Sequence, residues 1–176
     1  MKIEQVVDEQ VKSKLQVDFY VPIKIEFEEN DNKKEELFYY RLMNEKSSFV
    51  EISVNSATKK IAEIIIVSIN DISQINESKL RKFNDVGNIE GNPIINMNTF
   101  KEEHIVTDNE NFEVLRCSQK IYIIKDFNCI QKKLNVSNVE ILLDIRNNII
   151  GFIVSGFSTE QWDELNESIE SSIKIF

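Results

Sequence analysis

The chain has 176 residues, 41% of them hydrophobic and 29% charged, with a formal charge of −9 and a pI near 4.8. This is a globular composition, long enough to bury roughly two-thirds of its unfolded surface without a disulfide or metal staple. The acidic balance excludes the electrostatic grip that nucleic acid and anionic membranes require, and one histidine with two cysteines excludes a four-ligand zinc site.

The N-terminal stretch MKIEQVVDEQVKSKLQ is charged throughout and has no apolar core of the signal-peptide kind. Cys117 and Cys129 are therefore expected to be reduced thiols of a cytoplasmic protein. Ile3, Val6, Val7, Val11 and Leu15 recur at helical spacing, which predicts an amphipathic helix over 3–15. The stretch VDFYVPIKIEFEE then alternates, placing Phe19, Val21, Ile23, Ile25 and Phe27 on one face of a strand. Pro22 has no N–H to give a ladder, so this strand lies at an edge or begins near it. A polar turn leads into ELFYYRLM, where Phe38 and Tyr40 share a face and Tyr39 lies on the other.

FVEISV and IAEIIIVSI follow as a hairpin. Val50, Ile52 and Val54 point one way, and Glu51 and Ser53 the other, as in a sheet with one wet face. The run Ile64–Ile69 is apolar on both faces and far too short to cross a bilayer, so it reads as the central strand. Ile72, Ile75, Leu80 and Phe83 predict a further helix. DVGNIEGNP holds half of the glycine and half of the proline, and reads as a linker over 85–93. An irregular acidic stretch follows it.

The second half then resembles the first. FEVLRCS and KIYIIKDF are strand candidates, followed by the pair VEILLDI and NIIGFIVSGF. Val50-Glu51-Ile52 aligns with Val139-Glu140-Ile141 at an offset of about 89 residues, and Ile61 meets Ile149 when the second turn is one residue shorter. Such spacing is that of a duplicated supersecondary unit, here 17–84 and 94–158, within one domain spanning 1–176. Similar amphipathic hairpins can also arise without duplication. At the C-terminus Ser158 and Gln161 form a capping box ahead of a helix with Trp162, Leu165, Ile169 and Ile173 on one stripe. The fold class expected is α+β: antiparallel hairpins in one curved sheet or two related ones, with N- and C-terminal amphipathic helices packed on the covered side.

No catalytic motif is present. His104 sits beside Glu102 and Glu103 without a nucleophile elbow around it. GNIEGNP lacks the Lys-Ser/Thr of a phosphate loop, and the acidic stretches lack the alternation and glycine of a calcium loop. No catalytic residue, cofactor or metal ligand is therefore assigned. The remaining candidates are surface groups suited to a protein partner: Glu28, Glu29, Asp31, Glu35 and Glu36 with Tyr39, and Glu102, Glu103, Asp108 and Glu110.

The hairpin FVEISVNSATKKIAEIIIVSI, with its cadence of strand, N/D-x-x-T/N-x-K/N-I and strand, resembles immunity proteins of bacterial polymorphic-toxin and contact-dependent inhibition systems. The resemblance covers about a quarter of the chain. It implies a protein that binds one cognate toxin domain, doing no chemistry itself, with neither nucleic acid nor membrane as partner. A basic toxin fits the acidic charge. A structural or assembly subunit, or a small enzyme with a buried carboxylate pair, are the alternatives from other classes.

Overall fold

A computed structural model describes residues 1–28, 36–75, 77–81, 83, 86–101 and 103–173. The strands in chain order are β1 (Ile3–Val7), β2 (Ser13–Gln16), β3 (Ile23–Phe27), β4 (Leu37–Met43), β5 (Phe49–Asn55), β6 (Ile61–Ser68) and β7 (Ser73–Gln74). The short helix α1 (Glu77–Arg81) follows, then β8 (Gly87–Glu90), β9 (Asn92–Ile95), β10 (Ile105–Asp108), β11 (Glu113–Cys117) and β12 (Lys120–Ile124). The chain ends with β13 (Lys132–Val136), β14 (Val139–Leu143), β15 (Ile149–Val154) and the helix α2 (Thr159–Ile173).

The strands form a six-stranded sheet in the order β10-β4-β5-β6-β3-β2 and a seven-stranded sheet in the order β7-β11-β12-β15-β14-β13-β8, with β1 and β9 as a separate pair. Their facing sides supply one core. Ile23, Ile25, Val50, Ile52, Ile64 and Ile66 come from the first sheet, and Ile121, Ile123, Leu134, Ile141, Phe152 and Val154 from the second. The seven-stranded sheet is covered on its outer side too, where Tyr122, Ile124, Leu142 and Ile153 pack with Ile75 and Phe83. The outer side of the six-stranded sheet carries Lys24, Glu26, Arg41, Glu51 and Glu63, tied by bridges of 2.7–2.8 Å.

The two sheets repeat one topology. The order β2-β3-β6-β5-β4 matches β11-β12-β15-β14-β13, and each run ends on a parallel strand, β10 beside β4 and β8 beside β13. The hairpin likeness of the sequence extends to its irregularities. Both hairpins shift register at matched points, Ser53/Val54 and Leu142/Leu143. Their turns use the same chemistry. Asn55 Oδ1 accepts the N–H groups of Ala57 and Thr58, and Asp144 Oδ1 accepts those of Arg146 and Asn148. A residue in the left-handed, positive-φ region closes each turn, Lys59 in the first and Asn147 in the second.

Five expectations are corrected. The 3–15 segment is two strands, not a helix. Long-range pairing decides it: Ile3–Val7, with β-branched Ile3, Val6 and Val7, pairs with β9, and Ser13–Gln16 pairs with β3. Among the described residues, the expected helix around 72–83 is helical at Glu77–Arg81 alone, because Ser73–Gln74 is drawn to the edge of β11. The described part of the 85–93 linker is β8 and β9, turning at Gly91. Gly91 has a positive φ, and a Cβ there would lie 2.4 Å from the Val7 carbonyl oxygen, so only glycine fits. The chain between β6 and β11 donates β10 as a parallel strand to the six-stranded sheet and β7 and β8 to the two edges of the seven-stranded sheet, so the architecture is mixed rather than purely antiparallel. Phe19 and Val21 are not on the strand with Ile23; β3 is interior, between β2 and β6, and begins just after Pro22, the second of the two placements expected from that proline.

The C-terminal reading holds. Ser158 Oγ accepts the Gln161 N–H at 3.2 Å. The Ser158 N–H donates in return to Gln161 Oε1 at 3.0 Å, which completes the capping box. Leu165 and Ile169 are buried, Trp162 packs on Phe157, and the Ile173 side chain lies outside the described residues.

Two substitutions test this packing in opposite directions. Gly151→Ala places a Cβ 2.3 Å from the Ile123 carbonyl oxygen. It should lower the unfolding free energy by about 3 kcal/mol. The Ser53 hydroxyl is buried with no hydrogen-bond partner among the described residues. Ser53→Ala should therefore leave stability equal or raise it by about 1 kcal/mol. Urea unfolding midpoints check both.

Candidate protein-interaction surface

The parallel pairing of β10 with β4 brings together segments far apart in sequence. The Tyr39 N–H donates to the His104 carbonyl at 2.8 Å, and Ile105 lies opposite Tyr39. His104 Nδ1 stands 3.2 Å from Glu36 Oε1, and its ring stacks on Phe38 at 4.8 Å. Glu36, Glu103 and His104 are all exposed at this corner, while Tyr39 is half-buried on the outer face. His104 is thus held as a surface group in an aromatic and acidic setting, with neither cysteine within the contacts it makes.

Glu28 is exposed at the end of β3, where its N–H donates to the Lys12 carbonyl. It lies at the same end of the sheet as Glu36, but β6 and β5 stand between their strands, so the two do not form one cluster. Glu29, Asp31, Glu35 and Glu102 lie outside the described residues.

Asp108 and Glu110 sit at the opposite end of β10 and do a different job. Lys125 Nζ, at the end of β12 in the other sheet, donates to Asp108 Oδ2 at 2.6 Å and to Glu110 Oε2 at 2.8 Å. The Tyr40 hydroxyl donates to the same Asp108 oxygen. Lys125 and Asp108 are mostly buried, with side-chain exposures of 12% and 18%. Burial pushes the Asp108 carboxyl up, but the bonds from Lys125, Tyr40 and the Glu110 N–H outweigh it and hold the carboxyl below its ordinary value. Burial and the neighbouring carboxylate drive the Tyr40 phenol strongly upward, so it remains a donor. This cluster ties the two sheets together, and Asp108 is committed to it.

One surface escaped the sequence reading. The 17–22 connection between β2 and β3 exposes Phe19 (56%) and Tyr20 (84%), whose rings meet edge to face at 5.5 Å. The loop is held in shape. Asp18 Oδ1 accepts the Tyr20 N–H at 2.8 Å, and Ser168 Oγ of α2 donates to the Phe19 carbonyl at 3.1 Å. Beside it runs a groove of about 540 Å³, floored by Val17, Val21, Ile65 and Val67 and edged by Asp18 and Lys24. The signal in the sequence is two adjacent aromatics just before Pro22, but alternation assigns Phe19 to the core.

No described helix is long and apolar enough to cross a membrane. Among the described residues no group of three or more His, Cys, Asp and Glu side chains is placed to hold a metal ion. Cys129 is exposed, and its thiol is pushed up by its hydrogen bond to Asp126.

The depressed Asp108 carboxyl stabilises the fold above the unfolded aspartate value of about 4, and that contribution is lost as pH falls through its lower folded value. Asp108→Asn should therefore cost about 2 kcal/mol at pH 7. Its deficit against the parent should shrink as unfolding is measured below pH ~3. A deficit independent of pH contradicts this role. Compared with known proteins, the chain matches no protein-family model and no curated protein sequence.

Proposed function

We propose that this chain is an immunity-type protein of the bacterial cytoplasm, which binds and neutralises a cognate, basic protein toxin without chemistry of its own. One observation carries the reading most directly. The outer face and β10 edge of the six-stranded sheet expose Glu36, Glu103 and Ile105, whereas the most buried ionic cluster, around Lys125, is consumed in joining the sheets. A charge of −9 attracts a cationic partner and repels nucleic acid and anionic membrane. That attraction acts over a Debye length of about 8 Å at physiological salt. Nuclease toxins must be cationic to hold phosphate, so the charge sign suits them.

The shared strand order, matched register shifts and matched turn chemistry support reading the two halves as one duplicated unit. In that reading β2–β6 and β11–β15 are the copies, and the connecting chain supplies the parallel edge strands, β10 to the first sheet and β7 and β8 to the second. Among the described residues, an apolar cluster covers the outer face of the seven-stranded sheet, whereas that of the six-stranded sheet carries charged side chains open to a partner.

In cells arrested by a toxic C-terminal domain encoded by a neighbouring gene, co-expression of this chain should restore growth. Glu36→Lys with Glu103→Lys should slow association about tenfold at low salt and lose that effect at high salt, as expected of steering charges. Growth arrest unrelieved by the unaltered chain contradicts the function.

A further inference from the structure

We infer that the Phe19–Tyr20 loop, with the groove of Val17, Val21, Ile65 and Val67, is the anchoring surface for a partner that presents apolar side chains flanked by lysine or arginine. The inference takes the partner's charge from the reading above and adds where it is gripped. Monomeric proteins leave single apolar residues exposed without consequence, but seldom two adjacent aromatics beside an apolar groove. Here the aromatics are also preorganised. The Asp18 turn and the bond from Ser168 fix the loop backbone, so little ordering cost remains for binding. Tyrosine and its apolar surroundings are the composition of energetic hot spots.

The neighbouring helix decides the charge of the occupant. Gln161 Nε2 donates to the Leu15 carbonyl and Ser168 Oγ to the Phe19 carbonyl, so the row of α2 that carries these two residues faces the loop. Glu164 lies on that row, three residues after Gln161 and four before Ser168. Asp163, Glu167 and Glu170 are exposed on the adjoining faces. None of these four has an ion-pair partner among the described residues, in contrast to Glu26, Glu51 and Glu63 on the sheet. A second copy of this chain would bring two such helices together and meet like charge. A cationic segment would instead pair with them while its apolar side chains fill the groove.

The surface is probed with a fluorescein-labelled helical peptide of leucine and lysine, and with its leucine–glutamate counterpart, by anisotropy against the full chain. The lysine peptide should bind and the glutamate peptide should not. Phe19→Ser with Tyr20→Ser should weaken binding about tenfold or more, as removal of hot-spot anchors does. Glu164→Gln with Glu167→Gln should weaken it severalfold at low salt, and Glu36→Gln with Glu103→Gln, on the far edge of the sheet, should leave it within about twofold. All the substituted side chains are exposed, and an unchanged urea midpoint confirms the fold. Equal binding by the Phe19/Tyr20 variant, or equal binding of the two peptides, overturns the assignment. So does a dimer in sedimentation that Tyr20→Ser dissolves, which would make the occupant a second copy. The peptide result stands apart from growth rescue: anchoring at Tyr20 without rescue refutes the toxin and keeps the surface, and rescue that survives the loss of Tyr20 does the reverse.

Discussion

The fold depends on the burial of the two inner sheet faces against each other. Neither sheet could stand alone, because β3, β5 and β6 on one side and β12, β14 and β15 on the other present fully buried isoleucine, valine and phenylalanine to the shared layer. Each such side chain removed from water is worth roughly 1.5–3 kcal/mol against the entropy of ordering it. The Lys125–Asp108–Tyr40 cluster adds registration to this apolar contact: it links the end of β12 to β10 and β4, and fixes how one sheet sits over the other. Because that layer takes the apolar side of every central strand, the polar side of the six-stranded sheet remains for contact with other molecules.

Much of this was legible wherever periodicity and local chemistry agreed. The β5–β6 and β14–β15 hairpins, the central place of β6 and the capping box of α2 all follow from alternation, apolar runs or a Ser–Gln pair. The N-terminal segment failed because its local spacing is that of a helix, while the long-range partners β9 and β3 draw it into two strands and override that signal. The glycine-rich connection failed for a related reason. Its residues look like a linker locally, yet β8 completes the seven-stranded sheet and β9 pairs with β1, a consequence of topology that no window of sequence contains.

The candidate surface was legible in part. Charge marks the segments around Glu36 and Glu103, and the β4–β10 pairing unites them. Charge alone does not separate a steering carboxylate from a structural one, and Asp108 belongs to the second kind. It is also silent on Phe19 and Tyr20, because alternation runs through Phe19 while the strand itself begins only after Pro22. The division of labour that emerges is physical. In the proposed complex, exposed carboxylates would act at a distance and govern encounter, whereas the aromatics beside an apolar groove would govern how long it lasts. The six-stranded sheet is comparable in width to a standard interface, so one partner can meet both regions.

Hydrogen exchange on the chain, free and mixed with a toxin domain of the class that the proposed function names, tests the central claim most directly. Added protection is expected in the 17–22 loop, in α2 around Glu164 and along the outer face of the six-stranded sheet, with β13, β14 and the covered face of the other sheet unchanged. Protection confined to that other sheet, or none anywhere, would contradict it.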